Sequence, residues 1–179
     1  MQDLWVFGYG SLMWRPGFEH EERRPALLRG YHRAFCVLSH VHRGTPERPG
    51  LVFGLDQGGA CRGVAFRVEA ARAEETRRYL QAREQVTSVY VEAMKTVELV
   101  DDRRKVEALC FVVDRRHPQY AGKISFERQV EIIAHAEGQS GRNPDYLEST
   151  VRHLEEAGIA DRELTRLWNA VAARLPRHG

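Results

Sequence analysis

Leu4-Trp5-Val6-Phe7-Gly8-Tyr9-Gly10-Ser11-Leu12-Met13-Trp14 begins as a short apolar run of strand formers and breaks into two glycines flanking a tyrosine, then a serine. Glycine lets the backbone turn with positive φ and lets another backbone or a ligand approach closely. A core strand emptying into such a turn makes Gly8, Tyr9, Gly10, Ser11 and Leu12 a candidate anion-binding loop, with successive N–H groups aimed at one point. A plain tight turn without a ligand stays open on the residues alone. Three familiar loops do not fit. A dinucleotide fingerprint needs a third glycine opening a helix, but Met13 stands there and Arg15-Pro16-Gly17 follows. No glycine-rich loop ends in Gly-Lys-Ser/Thr, so there is no P-loop motif. The Gly-x-Ser-x-Gly elbow of serine hydrolases fails because Met13 replaces its last glycine.

Outward from this stretch, residues 4–7, 35–41, 51–55 and 64–68 read as short strands, with turn-rich segments at 44–50 and 56–59. A helix fits 69–83, with Glu74-Glu75 early and Arg77-Arg78 late, the order the helix dipole favours. Residues 89–100 return to period-2 patterning, Asp101-Asp102-Arg103-Arg104 reads as a hairpin turn, and 106–113 as its second strand. The unbroken apolar run 108–113 predicts a strand covered on both faces. The last third is helical. Ser125 caps a helix running to His135 with Gly138 just beyond it; Asn143-Pro144 supplies an N-cap and a first-turn proline for a helix ending near Gly158. Asp161 caps a third helix with an apolar stripe of Leu164, Leu167, Trp168, Val171 and Leu175, ended by Pro176. Strands first and helices last, with no repeat or linker, predict one α+β domain over residues 1–179.

A length of 179 residues is enough to bury a real core. The 27 basic and 25 acidic side chains are spread along the chain, so a net charge of +2 makes no electrostatic case for a nucleic-acid partner. Cys36, Cys61 and Cys110 sit in apolar or strand-like runs without paired spacing and read as buried reduced thiols, which fits a reducing compartment. Asp3 and the short first apolar run match neither a signal peptide nor a membrane span, so a cytoplasmic protein is expected.

Glu84 follows the predicted helix and precedes the next strand. A carboxylate at such a junction can enter a cleft, where desolvation raises its pKa toward that of a usable general base. For any one of 25 acidic residues, however, a solvated surface position is the default. His40 and His42 share a strand face, but no third ligand stands at helpful spacing, so no metal is expected. Trp5, Trp14 and Trp168 read as core or pocket lining.

The residues then become recognisable. Val6-Phe7-Gly8-Tyr9-Gly10-Ser11-Leu12-Met13-Trp14 resembles the signature of the ChaC-like gamma-glutamylcyclotransferases. The resemblance continues through Arg29-Gly30-Tyr31-His32-Arg33-Ala34-Phe35, Arg43-Gly44-Thr45-Pro46, Gly63-Val64-Ala65-Phe66-Arg67 and Arg83-Glu84. It ends with Asp114-Arg115-Arg116-His117-Pro118-Gln119-Tyr120 and Ser140-Gly141-Arg142-Asn143-Pro144-Asp145-Tyr146-Leu147. Eukaryotic members follow Arg-Glu with a lysine, two glycines and a tyrosine; this chain has Gln85-Val86-Thr87-Ser88 and resembles the bacterial branch more closely.

The resemblance implies a small, mostly antiparallel β-barrel flanked by helices. It implies a cofactor-free carbon–nitrogen lyase that converts glutathione to 5-oxoproline and cysteinylglycine, with Glu84 as general base and Gly8, Tyr9, Gly10, Ser11 and Leu12 as the substrate loop. A broader gamma-glutamyl amino acid or amine cyclotransferase, and a non-catalytic metabolite-binding module of the same fold, are the alternatives. No membrane partner is expected. Oligomeric state and the roles of Arg33, His40, His42 and Tyr146 stay open.

Overall fold

In the computed structural model, which describes residues 1–84 and 88–177, the opening apolar run becomes β1 (Leu4–Gly8), buried throughout. It pairs antiparallel with β3 (Gly50–Val68), Leu4 opposite Val68 and Gly8 opposite Val64. On its other edge it runs parallel to β5 (Lys105–Val113). With β2 (Glu22–Ser39) and β4 (Tyr90–Leu99) these strands close a five-stranded barrel in the order β1-β3-β2-β4-β5. Closure leaves no exposed edge. The barrel is therefore the mostly antiparallel one expected, and β1–β5 is its parallel seam. The β4–β5 hairpin turns where Asp101–Arg104 predicts it, with Arg103 at φ 61°.

Two compact units divide the chain. The first is Met1–Ala34 with Gly54–His117; the second is Phe35–Phe53 with the residues from Pro118 onward. In the first, a 3-10 turn (Ala70–Arg72) leads into α1 (Ala73–Glu84). Leu80 of α1 is fully buried in an apolar cluster with Leu4, Val6, Leu12, Val68, Leu109 and Phe111. This contact seats the C-terminal half of α1 against β1 and the turn that follows it.

Two strand predictions need correction. Residues 56–59 are not a turn: β3 runs unbroken through them, with Gly58 and Gly59 at φ 104° and 67°. Only glycine takes those angles cheaply, so the pair bends the strand instead of ending it. On β2, Gly30 is likewise at φ 91°, and the His32 ring nitrogen lies 2.9 Å from the Gly58 carbonyl oxygen. β2 also begins at Glu22 and not at residue 35. Only Ala26 and Leu28 are buried in its first half, so charged outward residues mask the alternation.

The second unit holds α2 (Phe126–His135), the small hairpin β6 (Glu137–Gly138) and β7 (Gly141–Arg142), α3 (Asn143–Glu156) and α4 (Arg162–Ala172). Ser125 and Asp161 cap α2 and α4 as predicted, each accepting from the backbone N–H three residues on. Gly138 is not the C-cap of α2, which is Ala136. Gly138 is needed for another reason: a Cβ there would fall 2.4 Å from the Val41 carbonyl oxygen.

Asn143 is not the cap of α3 either, that position being Arg142. Its fully buried amide accepts from the Leu51 N–H at 2.8 Å and donates to the Leu51 carbonyl at 2.9 Å. It thus completes a strand backbone from the side. Asn143→Ala strands both groups in the core, at a cost of about 2–4 kcal/mol. In a chain of this size that is a fall of roughly 4–16 °C in Tm, measurable by thermal denaturation.

Candidate active site

The candidate loop grows directly from β1. After Gly8 the chain enters a 3-10 turn, Ser11–Met13, in which the Met13 N–H donates to the Gly10 carbonyl at 2.9 Å. The Arg15 N–H donates to the Ser11 carbonyl at 2.7 Å. N–H groups that open a helical turn have no acceptor within it, so such a turn presents donors.

The five loop residues do not share one environment. Tyr9 and Leu12 are buried, Leu12 in the cluster with Leu80, so their side chains hold the loop by packing. Ser11 is exposed and Gly10 half-buried, with nothing within 4 Å of where a Cβ on Gly10 would project. At Gly8 a Cβ would meet Leu12 Cβ at 3.1 Å, and on β3 a Cβ at Gly63 would fall 2.3 Å from the Gly8 carbonyl oxygen. Backbone therefore lies against backbone at the root of the loop.

Glu84 is the last residue of α1 and only 18% of its side chain is exposed. Burial pushes its carboxyl above the ordinary glutamate value of 4.5, and the Arg83 guanidinium opposes that shift. Arg83 Nε lies 3.8 Å from Glu84 Oε1. The same guanidinium donates through Nη2 to Ser11 Oγ at 3.0 Å. Through Nη1 it donates to the carbonyls of Arg15 at 2.7 Å and Pro16 at 3.0 Å, and to the Tyr79 hydroxyl at 3.1 Å. One arginine thus fastens the end of α1 to the loop after β1, so that the Glu84 carboxyl and the Ser11 hydroxyl flank the same guanidinium. In the sequence only its adjacency to Glu84 marks Arg83. The assembly pairs a carboxyl poised to exchange protons with a turn of backbone donors suited to an oxygen that gains charge.

The residues left open fall in two places. Arg33, on β2, donates to the Tyr9 carbonyl and so touches the loop itself. Tyr146 lies in the second unit, where its hydroxyl accepts from the Phe53 N–H at 3.1 Å and the Arg43 guanidinium sits 5.5 Å from its ring centre. His42 is also there, with Nδ1 2.9 Å from Ser140 Oγ. Among the described residues no three His, Cys, Asp or Glu side chains gather as a metal site. The three cysteines are buried thiols, and burial pushes Cys110 up to about 12. Of the stretch that departs from the eukaryotic pattern, residues 85–87 lie outside those described; Ser88 sits at φ 61°. A groove of about 460 Å³ beside α4, lined by residues including Asp161, Arg162 and Thr165, holds none of the candidate site residues.

The family model of ChaC-like proteins matches residues 4–174. A glutathione-specific gamma-glutamylcyclotransferase of Escherichia coli is 38% identical over 94% of this chain and 72% of its own length. The glutathione-specific gamma-glutamylcyclotransferase 1 of Homo sapiens is 34% identical over 98% of this chain and 81% of its own. In structure, a yeast gamma-glutamyl cyclotransferase specific to glutathione superposes with a TM-score of 0.86, covering 97% of each chain at 24% identity. That likeness establishes the shared fold.

Proposed function

The chain belongs to the ChaC-like family, and we propose that it is a gamma-glutamylcyclotransferase acting on glutathione. The reaction is internal to the substrate. The α-amine of the γ-glutamyl arm attacks the side-chain amide carbonyl, a new C–N bond closes a five-membered ring, and the old C–N bond to the cysteine breaks. Glu84 takes the proton from the α-ammonium and frees the lone pair for attack. The resulting carboxylic acid returns a proton to the departing amine. The carboxylate is thereby restored; it relays the second proton of the ring nitrogen to the same leaving amine, so 5-oxoproline leaves as a neutral lactam and cysteinylglycine as an ammonium, with atoms and charge balanced. A carboxyl raised by burial suits both halves of this exchange.

The loop Gly8–Leu12 receives the substrate. The backbone N–H of Gly10 faces the carbonyl oxygen that becomes an oxyanion as the ring closes. Tyr9 and Leu12 keep the loop in shape from beneath. Because nucleophile and electrophile share one molecule, holding the γ-glutamyl arm folded supplies much of the acceleration. Every step is a proton transfer or an addition–elimination at carbon, so the residues present need no cofactor or metal.

The observation that carries this reading is the Arg83 bridge joining Glu84 to the Ser11 hydroxyl. Among the described residues no helix is long and apolar enough to cross a membrane. We take residues 1–179 to work as one domain in the cytoplasm on a small-molecule substrate, without nucleic-acid or membrane partners, since β2 and β3 each run from one unit into the other.

Incubation with glutathione and a chelator, followed by mass spectrometry, is expected to show 5-oxoproline and cysteinylglycine in equal amounts. Gamma-glutamylalanine run in parallel is expected to remain intact. Product from both substrates would replace the reading with a broader cyclotransferase. Product from neither, with glutathione still bound, would make the protein a metabolite-binding module.

A further inference from the structure

Arg33 reaches the loop from β2 with a geometry that fixes a direction. Its Nε–H donates to the Tyr9 carbonyl at 2.7 Å, and its Nη2 donates to the Arg62 carbonyl on β3, also at 2.7 Å. A guanidinium is planar and carries its donors in a rigid fork, so two short bonds to two carbonyls hold it in place. One arm is anchored in the barrel wall; the other grips the loop.

The consequence lies in the peptide group. The Tyr9 carbonyl and the Gly10 N–H are opposite ends of one peptide unit, and no cis bond occurs among the described residues. In a trans peptide these two groups point in opposite directions. Gripping the carbonyl therefore turns the Gly10 N–H away from Arg33. The next peptide is held too, because the Gly10 carbonyl accepts from the Met13 N–H at 2.9 Å, which sends the Ser11 N–H the other way. Gly10 lies between these two fixed planes, with open space where a side chain would stand. A bond from a charged donor also polarises the Tyr9–Gly10 peptide and strengthens its N–H as a donor.

We propose that Arg33 is a positioning residue, setting the Tyr9–Gly10 peptide plane so that the Gly10 N–H already faces the oxygen that gains charge during ring closure. This rests on the reading of the loop as the oxyanion-binding element of a cyclotransferase. An ammonium cannot reproduce it, since a lysine carries charge without the planar fork that serves both carbonyls.

The test compares Arg33→Lys and Arg33→Ala with the wild type. Donors aimed at the oxyanion act in the transition state, so kcat is expected to fall about 10- to 100-fold with KM within about twofold. Added guanidinium is expected to restore part of the kcat of Arg33→Ala, and Arg33→Lys is expected to stay defective. Wild-type kcat in Arg33→Lys, or a loss confined to KM, would overturn the proposal by reducing Arg33 to its charge. A second readout does not depend on turnover. In nitrogen-15 NMR spectra the Gly10 and Ser11 amide signals are expected to shift or broaden in Arg33→Lys while the barrel signals stay. Unchanged Gly10 and Ser11 signals would overturn the positioning role even if the wild type proved inactive on glutathione, and that inactivity would count separately against the cyclotransferase reading.

Discussion

Glu84→Gln is expected to lower turnover of glutathione about 10²- to 10⁴-fold, the range that loss of a general acid–base group produces, while leaving glutathione binding near wild type. The amide keeps the shape of the side chain and removes its capacity to carry a proton. A variant keeping more than about a twentieth of wild-type turnover would remove Glu84 from the mechanism, since even the weakest loss in that range is about 10²-fold.

The pH dependence follows from the same burial. Glu84 must begin as a carboxylate, so kcat/KM of the wild type is expected to fall on the acid side around a value above the ordinary 4.5. The sign for stability is the reverse. A carboxyl whose folded value is raised favours the fold below its unfolded value, and that contribution is lost as pH rises through the folded one. At neutral pH the ionised Glu84 therefore works against folding. Glu84→Gln is expected to unfold at a Tm equal to or above that of the wild type, measured near pH 7. Lower stability of the variant at that pH, with intact stability at pH 4, would contradict the burial argument.

Gly63→Ala is expected to damage the loop from beneath. A methyl group on β3 at this position would fall 2.3 Å from the Gly8 carbonyl oxygen and 2.8 Å from the Phe7 ring. Neither neighbour can yield cheaply, because Gly8 is backbone within the β1–β3 ladder and Phe7 is almost fully buried. Overpacking of this kind costs about 1–3 kcal/mol. The displaced atom belongs to the first residue of the loop, so activity is expected to suffer beyond what stability explains. At temperatures where Gly63→Ala remains fully folded, kcat/KM should fall by at least about tenfold, the effect of a donor shifted out of line. A variant that melts like the wild type and turns over normally would show that the strands part without consequence.

Local chemistry was legible in the sequence wherever a residue acts on its own neighbourhood. β1, the Asp101–Arg104 turn, α1 and the caps Ser125 and Asp161 follow from apolar runs, turn formers and side chains that reach three residues along the chain. Gly58-Gly59 and Asn143 depart from those local rules. Each residue type has a common local role, and each is used here against a partner far away in sequence: Asn143 meets Leu51 across 92 positions. β2 was recognised only in its second half because its first half faces water with charged side chains around a thin apolar stripe.

The proposed site divides in the same way. The glycine loop and Glu84 stood out because their residue types and order carry a family resemblance that the comparisons bear out at the level of the family. Arg83 did not, since the chain has 27 basic residues and no spacing distinguishes it, and Arg33 was named only with its role open. Residue order settled which segments become strands and helices and which carboxylate and glycines are candidates, because propensity, capping and apolar periodicity act within a few residues. The closure of five strands into a barrel, the meeting of α1 with the loop after β1, and the direction of each loop N–H came from the fold. Those features depend on where a carbonyl 24 or 68 residues away from its arginine, or a hydroxyl 72 residues away, finally stands, and no local pattern encodes a direction in space.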